Sequence, residues 1–198
     1  MEKKERKGGE IAKKFLKKNL YYILLIVSLL AIGTIITLAL VLNKDKSDPT
    51  LPSGGNEVKM SVPVKSEYTI INDYIADKHI FFPNINTYTA HLGIDFGASE
   101  GTDVVAALDG TVDKVITNNV LTGVTVVIKH SNSLSTVYQS LKNPTVKVGD
   151  SVKQGDKIGE VSTTMGIEKN FGPHLHFEVL VNGKQVNPNN YLTLSNDK

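Results

Sequence analysis

Gly172-Pro173-His174-Leu175-His176-Phe177-Glu178-Val179 is the stretch on which the fold turns. In a β-strand alternate residues share a face, so His174, His176 and Glu178 point one way while Leu175, Phe177 and Val179 point the other. An apolar face of that kind must cover a core, and the polar face then holds two imidazoles and a carboxylate side by side. A second stretch, His91-Leu92-Gly93-Ile94-Asp95, has the same texture: His91, Gly93 and Asp95 alternate with Leu92, Ile94 and Phe96. Either stretch alone would suit a solvated sheet face. Two of them, each opposite an apolar face, suit a metal site made from neutral imidazole and ionised carboxylate, the ligand types that zinc takes. Gly93 leaves room for a close approach.

Working outward, the surrounding chain is a series of short β-branched and aromatic runs. Val104-Val105-Ala106-Ala107-Leu108 precedes Asp109-Gly110; Thr111-Val112-Asp113-Lys114-Val115-Ile116 and Gly123-Val124-Thr125-Val126-Val127-Ile128 follow. Asp-Gly between two apolar runs predicts a tight hairpin. The phrases Val148-Gly149-Asp150-Ser151-Val152 and Gln154-Gly155-Asp156-Lys157-Ile158-Gly159 predict two further corners. Such phrases also suit carrier domains bearing biotin or lipoate, but no lysine stands in the Met-Lys-Met-like context those require. No sustained helical stripe occurs beyond residue 60, so the expectation is a mainly β, antiparallel domain over residues 67–195.

The N-terminal part has a different composition. Residues 1–42 carry eight basic and three acidic side chains, against 14 basic and 17 acidic in the rest. Leu20 to Leu42 is free of charge, and its 23 residues reach about 34 Å as a helix, enough for a hydrocarbon layer of roughly 30 Å. The run is too long for a signal-peptide h-region and lacks a small-x-small cleavage site. A transmembrane helix over 20–42 is therefore expected. Lys13, Lys14, Lys17 and Lys18 before it place the basic tail, residues 1–19, in the cytoplasm and the C-terminal domain outside. Residues 43–66, including Ser47-Asp48-Pro49-Thr50-Leu51-Pro52-Ser53-Gly54-Gly55-Asn56, read as a flexible tether. The chain has no cysteine, which excludes disulfides, thiol nucleophiles and thiolate-bound metal. The acidic balance of the outer part argues against a nucleic-acid partner.

Over residues 88–191 the sequence resembles the lysostaphin/LytM-type zinc metallopeptidases, which cut peptide cross-links in bacterial cell walls. The resemblance is carried by His91-x-x-x-Asp95 with Gly101-Thr102 and Leu108-Asp109-Gly110, and by Gly172-Pro173-His174-Leu175-His176-Phe177-Glu178-Val179. It implies a LytM-type fold, zinc as cofactor, His91, Asp95 and His176 as its ligands, and His174 as a catalytic histidine beside the metal-bound water. One departure stands out. Where the family usually has Tyr-Ala-His-Leu this chain reads Tyr138-Gln139-Ser140-Leu141, so Ser140 replaces the second catalytic histidine. A hydroxyl holds a proton and carries positive charge far less well than imidazole, and loss of one such group typically costs on the order of 100- to 1,000-fold in rate.

The basic tail, single span, tether and altered middle motif together resemble the stage II sporulation protein Q family. That resemblance implies a forespore-membrane protein of endospore formers with its domain facing the mother cell. It also implies a partner similar to stage III sporulation protein AH in the opposing membrane, assembly into a larger ring or channel complex, and peptidoglycan as a further ligand. Two activities stay open at this level: a zinc-binding scaffold with impaired hydrolysis, and an endopeptidase acting on peptidoglycan.

Overall fold

The computed structural model describes residues 17–22, 24–25, 28–30, 32–34, 58–130 and 133–193. The chain divides into two units, Met1–Ser47 and Asp48–Lys198. In the first, the described residues are helical, and among them no helix is long and apolar enough to cross a membrane. Residues 23, 26, 27, 31 and 35–42 of the expected span, most of the expected tail and residues 43–57 of the expected tether lie outside the described residues.

The described part of the second unit is a β domain, as the alternation of apolar residues predicts. Its centre is β11 (His174–Val181), antiparallel to β4 (Ile94–Gly97) on one side and to β8 (Leu134–Lys142) on the other. Beyond β8 the sheet continues through β7 (Val124–Lys129) and β6 (Gly110–Ile116) to β9 (Ser151–Val152); beyond β4 it ends at β1 (Thr69–Asn72). β5 (Asp103–Val105) pairs with β10 (Lys157–Val161), which also pairs with β8, while β12 (Lys184–Val186) pairs with β11. A separate two-stranded ribbon is made by β2 (Ile75–Phe82) and β3 (Thr87–His91).

The core lies under the central strands. Leu175, Phe177 and Val179 of β11 are fully buried with Phe96, Tyr138, Val126 and Ile128. The ring centroid of Phe177 lies 5.3 Å from that of Tyr138 and 6.3 Å from that of Phe96. A buried aromatic of this size contributes about 3–5 kcal/mol over alanine, so this layer fixes the register of the strands that bear the polar face.

Three expectations change. First, residues 58–66 are packed rather than tethering. Met60 and Val64 are buried, Met60 bridges Leu192, and the Val105 N–H donates to the Pro63 carbonyl at 2.9 Å. Val58, Met60, Val62 and Val64 alternate, and that short apolar period is masked by the Pro/Gly-rich residues before it.

Second, Asp109-Gly110 does not close a hairpin: β5 pairs with β10, and β6 pairs with β7 and β9. The Asp109 carboxylate instead accepts from the Gln154 N–H at 2.8 Å and from Lys153 Nζ at 2.9 Å. Gly110 is required there by close approach, since a Cβ would meet the Lys129 carbonyl oxygen at 2.5 Å.

Third, His91 and Asp95 lie on different strands. His91 ends β3 opposite Ile75 of β2, whereas Asp95 of β4 faces His176 of β11. The break at Leu92-Gly93 lets the chain pass from ribbon to sheet.

The two Gly-Asp corners do form, with the same chemistry. In Lys147-Val148-Gly149-Asp150 and Lys153-Gln154-Gly155-Asp156 the glycine has φ 92° and 91°. In both, the lysine N–H donates to the aspartate carboxylate, at 3.0 and 2.8 Å. A positive φ at the third residue is the glycine-demanding position of such a turn. The first corner leads into β9 and the second into β10.

Candidate metal centre

β11 delivers His176, β4 delivers Asp95 and the end of β3 delivers His91. A fourth group comes from a 3-10 segment, Gly166–Phe171, between β10 and β11: Glu168. The four ligand atoms lie within 4.8 Å of one another, and the residues are 1, 0, 2 and 4% exposed for His91, Asp95, Glu168 and His176. His91 Nε2 lies 3.1 Å from Asp95 Oδ1 and 3.2 Å from His176 Nδ1; His176 Nδ1 lies 2.8 Å from Asp95 Oδ1. Glu168 places Oε1 3.7 Å from His91 Nε2 and Oε2 3.4 Å from His176 Nδ1.

The groups behind these atoms hold them in ligand orientation. His91 Nδ1 donates to the Asp73 carbonyl at 2.7 Å, which turns the Nε2 lone pair inward. His176 Nε2 faces Glu178 Oε1 at 3.3 Å, which does the same for Nδ1. Asn72 Nδ2 donates to Asp95 Oδ2 at 2.7 Å and leaves Oδ1 for the centre. Carboxylate or carbonyl partners on the far nitrogen of a histidine are the usual support of a metal ligand, since they fix the tautomer and raise basicity. This donor set fits a zinc-type divalent ion and provides no thiolate. Gly93 makes the approach feasible: a Cβ there would sit 2.6 Å from His176 Nε2.

The electrostatics follow from burying two carboxylates with histidines. Burial pushes the Asp95 carboxyl up, but hydrogen bonds and charge from His176 and His91 outweigh it and hold it well below the usual carboxylate range. For Glu168 burial again acts upward and is outweighed by the bonds to His174 and His176. Burial alone would lower His176, yet Asp95, Glu168 and Glu178 around it raise it well above an ordinary histidine. An ion of charge +2 would balance the two buried carboxylates and leave both ligand histidines neutral.

His174 stands next to the cluster, with Nδ1 donating to the Gly172 carbonyl at 2.8 Å and Nε2 3.2 Å from Glu168 Oε2. Ser140 is fully buried at φ 62°. Its hydroxyl donates to the Ser162 carbonyl at 3.0 Å, an oxygen that also accepts from the His174 N–H at 3.2 Å. Gln139, the register partner of His176, is the residue of that motif that lines the cavity beside the cluster, a space of about 220 Å³. Tyr138 faces the core instead; its hydroxyl accepts from the Ala107 N–H at 2.8 Å and burial pushes it up to about 12.

Glu168, Gln139 and the bracing groups Asn72 and Glu178 are the parts that sequence reasoning did not assign. Glu178 was legible as a neighbour on the polar face. Glu168 lies in a loop without a period, six residues before His174, and carried no local signal.

The sequence profile of peptidase family M23 matches residues 89–188, the span that holds this cluster, and the chain belongs to that family. It is 42% identical over 109 residues to stage II sporulation protein Q of Bacillus subtilis, covering 54% of this chain and 38% of the relative. It is 46% identical over 99 residues to the peptidoglycan DD-endopeptidase ShyC of Vibrio cholerae, covering 50% of this chain and 22% of the relative. The chain thus spans well under half the length of these two curated relatives. A chain in the structure of the SpoIIQ-SpoIIIAH pore forming complex superposes with a TM-score of 0.62 at 30% identity, over 69% of this chain and 92% of that one.

Proposed function

We propose that this chain is a membrane-anchored, zinc-binding M23 scaffold of endospore formation that engages a partner similar to stage III sporulation protein AH across the space between two membranes. The likeness to a chain of the SpoIIQ-SpoIIIAH complex, which extends over 92% of that chain, carries the reading. The charge-free run Leu20–Leu42 behind a lysine-rich tail supports an anchor with the N-terminus in the cytoplasm of the forespore. Zinc is supported by the buried His91, Asp95, Glu168 and His176 set. Ser140, in place of an imidazole, supports impaired hydrolysis.

Contact by strand addition at an open sheet edge is the proposed binding mode, with β1 and β9 as the end strands. The test is equilibrium binding of the full chain to the outer domain of a stage III sporulation protein AH, with peptidoglycan cleavage measured on the same preparation. Binding that survives proline substitution in both end strands, with the fold intact, would remove the edge-strand mode. Wall cleavage that His176→Ala abolishes would favour the second reading, an active endopeptidase, which the 46% identity to ShyC supports.

A further inference from the structure

The resemblance to wall peptidases implies three protein ligands, with His174 beside a metal-bound water. The structure puts something else beside His174. The atom facing its Nε2, 3.2 Å away, is Glu168 Oε2, and the other Glu168 oxygen is turned toward His91.

Tetrahedral zinc with bonds of about 2.0–2.1 Å requires neighbouring ligand atoms roughly 3.3 Å apart. The separations among His91, Asp95 and His176 are 3.1, 3.2 and 2.8 Å; Glu168 adds 3.7 Å from its Oε1 to His91 Nε2 and 3.4 Å from its Oε2 to His176 Nδ1, so the carboxylate as a whole lies at ligand distance from both histidines. All five bracket the tetrahedral edge. A general base acting on a metal-bound water would stand one water diameter further out, beyond about 4 Å from the other ligand atoms. The charge agrees as well. Two histidines and one carboxylate would leave a buried zinc at +1; a second carboxylate makes the buried set neutral, which lowers the cost of holding it away from water.

The segment that carries Glu168 is fastened from two sides. Asn84, between β2 and β3, donates its amide to the Gly166 carbonyl at 2.7 Å, and the Phe82 and Phe171 rings lie 6.0 Å apart. On the other flank the Ile167 N–H donates to the Leu121 carbonyl at 3.2 Å, and a Cβ on Gly166 would clash with the Val120 carbonyl oxygen. A carboxylate supplied by so constrained a segment is part of the built site.

We infer that Glu168 is the fourth protein ligand of the metal and occupies the position a catalytic water would need, so that the site is closed. The inference rests on the zinc-binding reading above and gives that site its character: four protein ligands are the mark of structural zinc, three that of catalytic zinc. A closed site would impair hydrolysis by a route independent of Ser140.

The test uses the full chain in detergent, loaded with Co²⁺, whose visible spectrum reports coordination. Azide, a small anion that binds an open metal position, is the probe. For the wild-type protein the expected result is a tetrahedral cobalt spectrum that azide leaves unchanged. In Glu168→Gln and Glu168→Ala azide is expected to shift the spectrum, and chelator competition to show metal affinity lower by about tenfold or more. Gln keeps the side-chain volume, and thermal unfolding of both variants identifies any loss of fold. If azide perturbs the wild-type spectrum as it does the variants, and affinity is unchanged, Glu168 is not a ligand while the zinc reading stands. If the wild-type chain takes up neither Co²⁺ nor Zn²⁺, the zinc reading itself is overturned, and this inference with it.

Discussion

His176 lies in β11 and His130 directly follows β7, and their surroundings differ in kind. His176 is faced by Asp95, Glu168 and Glu178 at 2.8, 3.4 and 3.3 Å. His130 donates from Nδ1 to the Asp109 carbonyl at 2.8 Å, and its Nε2 lies 2.8 Å from Thr136 Oγ1, which is 3.0 Å from the Tyr138 hydroxyl. The first network concentrates buried negative charge that a cation must answer. The second links neutral groups and ends on a backbone N–H of the core, so it holds strands together and offers nothing to a metal. A buried histidine is assigned by its partners, since carboxylates pull its proton affinity up and bare burial pulls it down.

The largest expected effect comes from removing His176. His176→Ala should take metal content from one ion per chain to none, and in the metal-free protein should cost about 3–5 kcal/mol by leaving Asp95 and Glu168 without their main counter-charge. His130→Ala should keep its metal. Elemental analysis and thermal unfolding of the two variants would erase the contrast if both lost metal equally.

Gly93→Ala sharpens the same contrast from the backbone side. Its methyl group would sit 2.6 Å from His176 Nε2 and push the ring off its bracing Glu178. Metal affinity should fall by about 10- to 100-fold in chelator competition, as expected when ligand orientation is lost. An affinity equal to wild type would mean that the ring has room the geometry does not show.

Tyr138→Phe addresses the neutral network. The Ala107 N–H would lose its acceptor in a dry core, a cost of about 1–3 kcal/mol in unfolding free energy, with metal content unchanged. Loss of metal in this variant would show that the two networks are coupled.

The smallest expected effect is on pH dependence. Burial lowers the proton affinity of His130 in the folded state below its ordinary value of 6.5, against the opposing pull of Asp109. The unfolded chain therefore binds more protons as pH falls below that value, and this residue's contribution to stability, present above it, is lost on acidification through the folded-state value. His130→Asn, which keeps a donor for the Asp109 carbonyl, should flatten this part of the stability–pH curve relative to wild type. An unchanged slope in denaturant titrations from pH 7 to 5 would remove His130 as its source.

Much of the sheet was legible because a strand half-buried in a core shows its period directly. The alternation in His174–Val179 placed Leu175 and Phe177 inward, and the structure buries both. The Gly-Asp corners were legible because a positive φ selects glycine. Pairing was not: Asp109-Gly110 has hairpin chemistry, yet its flanking strands find other neighbours, because pairing is decided by which apolar faces meet across long loops. The packing of residues 58–66 was hidden for a related reason, since four alternating apolar residues gain meaning only when Leu192 and Val104 are there to cover them.

By itself the sequence determined the residue types that make a metal centre: two histidine-bearing stretches and no cysteine. These follow from side-chain chemistry and from a strand period of two, both of which are local. Only the tertiary structure decided that His91 and Asp95 reach the centre from different strands, that Gln139 and not Ser140 lines the cavity, and that Glu168 completes the set. The ligand atoms of His91 and Asp95 come within 4.8 Å of those of Glu168 and His176, more than seventy residues further along the chain, and such closeness is fixed by strand register and core packing, which no single stretch encodes.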